Sequence, residues 1–190
     1  PALMLTVGQV FEQTLSAGWN LVSFNVDPTS NGQPISQVDD VLASIAGSYD
    51  LVLSYDSADE DDPWKVYNPG GMATTNTLTE LFPGQGFWVR MLNADTWTLV
   101  GQPVAGLTIE LSAGWNMIGW PLQSQGSLPG AFGSIAAKYL SVWTYLGDDV
   151  DEPWLRYGPA APEWVNNLTE LNAGRGYWIH ASEGCTLTLP

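Results

Sequence analysis

The chain has 190 residues, 45% hydrophobic and 12% aromatic, with 20 acidic side chains against 5 Lys and Arg and a formal charge of −15. That much apolar and aromatic material excludes a disordered chain, and so few cations exclude a nucleic-acid or anionic-lipid surface, which needs many positive charges in one patch. Cys185 is the only cysteine, which excludes an intrachain disulfide and a thiolate metal cluster, and no apolar run reaches the roughly 18–20 residues of a membrane span.

In chain order, Leu3, Met4, Leu5, Thr6 and Val7 form the first predicted strand, which with Gly8 and Gln9 resembles residues 96–102. An extra copy of a closing strand has two uses. It pairs within its own chain, or it completes the sheet of a neighbouring molecule by strand addition, and a head-to-tail contact of that kind propagates into a filament. The chain opens at Pro1 without a signal-peptide pattern, which points to a processed or excised chain.

Residues 10–15 lead through Ser16-Ala17-Gly18 into residues 19–26, and this spacing predicts a β-hairpin. Within the second arm Val22, Phe24 and Val26 alternate with Trp19 and Leu21, as in a strand covered on both faces. Residues 28–34 read as a surface loop. Residues 38–45 place apolar side chains at i, i+3, i+4 and i+7 behind Asp39 and Asp40, which predicts a short helix. Strands are expected at residues 51–55 and 64–67 on either side of an acidic loop. The Leu-Thr-Glu-Leu of residues 78–81 reads as a helical turn, and Gly84-Gln85-Gly86 as a turn needing positive φ. Strands at 87–92 and 96–100 follow.

The same order then repeats. Residues 15–20 and 111–116 both read LSAGWN, an offset of 96. From Ser44-Ile45-Ala46 against Ser134-Ile135-Ala136 onward the offset is 90, so the second copy is shorter by six residues (96 − 90), lost between Phe24 and Ser44. Residues 76–91 match residues 166–181 at eight of sixteen positions. The expected architecture is therefore mainly β: two tandem homologous sandwich- or barrel-like modules, residues 1–102 and 103–190, each with one short helix.

These motifs, L-x-A-G-W-N-L-V-S, D-P-W-K-x-Y, N-x-L-T-E-L and P-G-Q-G-F-W-V, resemble tandem β-rich modules of large surface and secreted proteins from archaea and Chloroflexi-like bacteria. The resemblance implies an extracellular or cell-surface location and a structural, adhesive or glycan-binding role. It brings no catalytic residue with it. The residues themselves agree: His180 is the only histidine, and no G-x-S-x-G or H-E-x-x-H accompanies it. The expected protein is a non-catalytic structural or adhesive subunit that self-associates or binds other surface proteins. The alternative is a carbohydrate-binding tandem.

Two groups of side chains stand out as candidate sites. Asp56, Asp59, Asp61 and Asp62, with Glu60, and Asp148, Asp149 and Asp151, with Glu152, occupy equivalent loops that each lead into Pro-Trp. Calcium is the cation such loops would take, since it needs about six to eight oxygen ligands; a solvated loop is the competing reading. Among ten tryptophans, Trp64, Trp154, Trp97, Trp143 and Trp164 lie beside acidic, Pro-rich or strand-edge segments, as a glycan-stacking platform requires. The aromatic pairs present in both copies, Trp19/Trp115, Tyr55/Tyr145, Trp64/Trp154, Tyr67/Tyr157 and Trp88/Trp178, read as core or turn anchors.

Overall fold

The computed structural model describes residues 8–189, so the strand expected at residues 3–7 lies outside the described residues. The fold is mainly β. In the first half, β1 (Gln9–Leu15), β8 (Asp95–Pro103), β3 (Val26–Ser30) and β4 (Gln33–Pro34) form one antiparallel sheet in that order. A second contains, in order, β2 (Gly18–Val22), β7 (Phe87–Met91), β5 (Tyr49–Tyr55) and β6 (Trp64–Tyr67). The sheets enclose a core that includes Phe11, Phe24, Val52, Phe87 and Trp97, capped by the single helical turn α1 (Val38–Val41) and a 3-10 turn at Ala43–Ile45. Among the described residues neither sheet closes into a barrel.

The second half repeats this plan with β9 (Thr108–Leu111), β10 (Gly114–Gly119), β11 (Gly126–Ser127), β12 (Tyr139–Tyr145), β13 (Trp154–Tyr157), β14 (Glu170–Leu171), β15 (Gly176–Ala181) and β16 (Cys185–Thr188). The order β10-β15-β12-β13 matches β2-β7-β5-β6, and β9 pairs with β16 as β1 pairs with β8. The two cores compensate each other in volume. Phe24 and Trp97 of the first correspond to Trp120 and Leu187 of the second, all 0% exposed, so the larger ring changes strand while the core stays filled.

The expected hairpins do not form. β1 pairs with β8 and β2 with β7, so Ser16-Ala17-Gly18 is a corner between two sheets. Asn20 builds it: its Oδ1 accepts from the Ser16 backbone N–H at 3.0 Å, and its Nδ2 donates to the Ser16 and Gly18 carbonyls at 2.8 and 3.1 Å. The side chain thus takes the hydrogen bonds a hairpin ladder would have made, and Gly18 supplies the φ of 91°. Asn116 does the same with Ser112 and Gly114.

Residues 78–81 are not helical. Leu78 and Leu81 are both buried, which produced the helix-like spacing, but the segment is extended and tied to the neighbouring loop by Val38 N–H to the Thr79 carbonyl and Leu81 N–H to the Ser36 carbonyl. Its copy includes β14, which pairs with β11. The second half also lacks the α-helical turn, because Gly130 and Gly133 stand where the first half has Asp40 and Ala43, and the segment Gly130–Ile135 is a 3-10 helix.

The halves pack about a pseudo-two-fold axis. Ser23 N–H donates to the Gly174 carbonyl at 2.9 Å, and the equivalent Gly119 N–H donates to the Gly84 carbonyl at 2.8 Å. Bridges join Val22 to Arg175 and Ile118 to Gln85, again as a reciprocal pair. Each Gly-x-Gly therefore has two duties. The first glycine takes the positive φ, 84° at Gly84 and 79° at Gly174; the second admits the other half, since a Cβ on Gly176 would lie 2.9 Å from the Val22 carbonyl oxygen.

Candidate functional site: an aromatic face across the two halves

Strand alternation decides where each aromatic points. In β7, Phe87, Val89 and Met91 face the core, so Trp88 and Arg90 face away from it. The same parity turns Trp19, Leu53, Tyr55 and Trp64 outward in the first half, and Trp115, Trp143, Tyr145, Trp154, Trp178 and His180 in the second. The two outward faces then meet at the axis. Tyr55 of the first half lies 5.2 Å from Trp178 of the second, and Tyr145 of the second lies 5.2 Å from Trp88 of the first. Trp64 and Trp154 complete the reciprocal set, at 5.8 Å from Trp178 and 6.0 Å from Trp88.

The arrangement leaves aromatic surface open to solvent. A cleft of about 560 Å³ is lined by Tyr55, Trp64, Trp115, Trp143, Trp154 and Trp178. A second, of about 300 Å³, is lined by Trp19, Leu53, Trp64, Trp88, Tyr145 and Trp154. Trp64 and Trp154 belong to both, so the aromatic surface runs continuously across the axis. They are 42% and 43% exposed, although each is wedged edge-on against a tyrosine at about 5 Å. Such rings are pre-positioned and lose little freedom when a ligand covers them.

Polar groups stand at the rim. Arg90 lies 5.6 Å from the Trp19 ring and donates to both carboxylate oxygens of Asp50, at 2.7 and 2.9 Å, which holds the Asp50 carboxyl below its ordinary range. Lys65, on the other side of β6 from Trp64, pairs with Asp59 and lowers that carboxyl in the same way, away from the two clefts. His180 stacks on Trp115 at 4.7 Å with an interplanar angle of 22°.

Of the tryptophans expected to form a glycan platform, Trp64, Trp154 and Trp143 come together in the larger cleft. Trp97 does not: it is fully buried, with its indole N–H donating to the Val41 carbonyl at 2.9 Å, because β8 directs Trp97 and Leu99 inward. Trp164 is 87% exposed on the 3-10 turn Glu163–Val165 and lines neither cleft. Their presence in both copies predicts core or turn positions for Trp19, Trp115, Tyr55, Tyr145, Trp88 and Trp178. The structure instead puts them on the shared face; of the paired aromatics only Tyr67 and Tyr157 pack on the cores.

The calcium expectation meets a different geometry. Among the described residues no three acidic, histidine or cysteine side chains gather closely enough to hold a metal ion. The acidic loops spend their carboxylates on their own backbone: Asp56 accepts from Ala58 N–H, Asp59 from Asp62 N–H, and Asp149 from Asp151 and Glu152 N–H. Cys185 sits in the β16–β9 ladder opposite Leu111, with its thiol pushed up by burial.

No known protein family, curated protein or solved structure matches the chain.

Proposed function

We propose that the chain is a non-catalytic extracellular binding protein whose aromatic face holds carbohydrate. The observation that carries this reading is the exposure of Trp64 and Trp154, equivalent residues of the two halves, within one continuous aromatic cleft. A contiguous apolar patch of this kind on a soluble protein ordinarily marks a ligand surface. Pyranose rings offer flat C–H faces that cover an indole while their hydroxyls stay in water or reach the polar rim. The extracellular assignment rests on composition and on the resemblance to surface modules. The non-catalytic assignment rests on a lone histidine committed to a stacking contact.

Calorimetric titration of the full chain with soluble glycans tests this. Trp64→Ala and Trp154→Ala are each expected to weaken binding by about 2 kcal/mol, roughly thirtyfold, as for tryptophans at the centre of a binding surface. Unchanged affinity in both variants would refute the proposal.

Assembly by strand addition is the second reading, and one observation favours it: β1, which begins two residues after residue 7, is an edge strand of its sheet among the described residues. Polymers that persist after residues 1–7 are deleted would rule it out.

A further inference from the structure

The chain has only five Lys and Arg, and among the described residues three of them are ion-paired: Lys65 with Asp59, Arg90 with Asp50, and Lys138 with Glu183. Arg156, like Arg175, has no acidic partner among the described residues. It stands directly opposite Trp143 in the β12–β13 ladder, on the outward face, with its guanidinium carbon 5.0 Å from the Trp143 ring. Its Nε is shielded from water and has no hydrogen-bond acceptor. In a molecule with 20 carboxylates, a guanidinium left unpaired beside an aromatic cleft is not there to neutralise the protein's own charge.

The position is also specific to one half. Where the second half has Trp143 and Arg156, the first has Leu53 and Val66, and the Trp143 side is the larger of the two clefts. His180 and Ser141 lie opposite each other in the β15–β12 ladder, one row from Trp143 and on the same face. A guanidinium lying over an indole is oriented by the ring, and its fork of N–H donors matches both oxygens of a carboxylate.

We infer that the carbohydrate bound on this face is acidic, a uronate-type chain whose carboxylate pairs with Arg156 while its ring stacks within the Trp143–Trp154–Trp178 cleft. This rests on the carbohydrate reading above. The overall negative charge does not forbid it, because at physiological ionic strength exposed charges are screened beyond about 8 Å, and the contact is local.

The test titrates the full chain with short oligogalacturonates and with the same oligomers after reduction of their carboxylates to neutral galactose. Wild type is expected to bind the acidic probe about tenfold more tightly, the scale of a charge-assisted hydrogen-bonded pair. Arg156→Gln should abolish that preference without weakening binding of the neutral probe. Lys138→Gln, which removes the same charge away from the cleft, should preserve it, and Trp64→Ala should weaken both probes. A single cooperative thermal transition with a midpoint near that of wild type certifies the fold of each variant. Equal wild-type affinity for the two probes, with Trp64→Ala still weakening both, overturns the acidic preference and leaves the carbohydrate reading intact. An Arg156→Gln protein that keeps the preference overturns the role of Arg156. Binding of neither probe overturns the inference together with the carbohydrate reading for this sugar class.

Discussion

Tyr177 shows how tightly individual side chains of the second core are set. Its ring is buried and its hydroxyl accepts the Asn172 N–H at 2.7 Å, and burial pushes the phenol up to about 12. Tyr139 is raised to about 12 and Tyr49 well above its ordinary value by the same cause. A phenol whose pKa is higher folded than unfolded adds stability that is complete below about 10, the unfolded value, and lost as pH rises through the folded one. Denaturant midpoints are therefore expected to hold up to about pH 10 and fall steadily toward pH 12, with Tyr177→Phe flattening part of the fall. A midpoint constant across that window would contradict these burials. At this scale the sequence was partly legible. Trp64 and Trp154 stand out in the sequence through the acidic, Pro-containing segments beside them, although as a pair present in both copies they also read as core or turn anchors, and β6 has the bounds expected from its sequence. Nothing in residue type separated Trp64 from Trp97, since both sit in short β-prone stretches beside polar residues. Only the direction in which a whole strand faces tells a core indole from an open one.

Among the elements, the corners built by Asn20 and Asn116 matter most, because each sends the chain from one sheet to the other and so sets which strands can pair. Asn116 carries a further load: its Oδ1 also accepts the Ser57 hydroxyl of the first half at 2.7 Å. Asn116→Ala would leave the Ser112 N–H and carbonyl without these partners in a part-buried corner. The expected cost is about 1–3 kcal/mol, measured by chemical denaturation; a change below about 0.5 kcal/mol, the usual size for a surface substitution, would show that the corner holds without it. The LSAGWN motif read as a hairpin because a glycine turn between two β-prone runs is the ordinary hairpin signal. The information against that reading lay in one polar side chain, Asn20, in an otherwise apolar strand. Likewise the Leu78–Leu81 spacing fits a helical turn and an extended segment equally well, and the backbone bonds with Ser36 and Val38 that decide between them come from elsewhere in the chain.

At the scale of the whole molecule, the repeat was legible and its purpose was not. Aromatics present in both copies look like core residues to a reading that takes each copy alone. Their strands are apolar on both faces, and the second face is covered by the other copy, an intermolecular kind of contact made within one chain. The backbone hydrogen bonds at Ser23 and Gly119 and the reciprocal Tyr–Trp pairs couple the halves, so calorimetry is expected to show one unfolding transition. Gly119→Val, which places side-chain atoms on Ser23 at the axis, should split it into two; a single transition in that variant would mean the halves are coupled elsewhere. The axis also explains why the pairing is held in one polypeptide. A Cβ built on Gly119 falls on the Cβ of Ser23, so two identical first halves could not meet in this way as a homodimer, where serine would oppose serine. Joining the halves through residues 104–107 frees the two sides of the axis to carry different residues, and it makes their meeting independent of protein concentration. At high dilution such a protein keeps its aromatic face assembled where a two-chain version would fall apart.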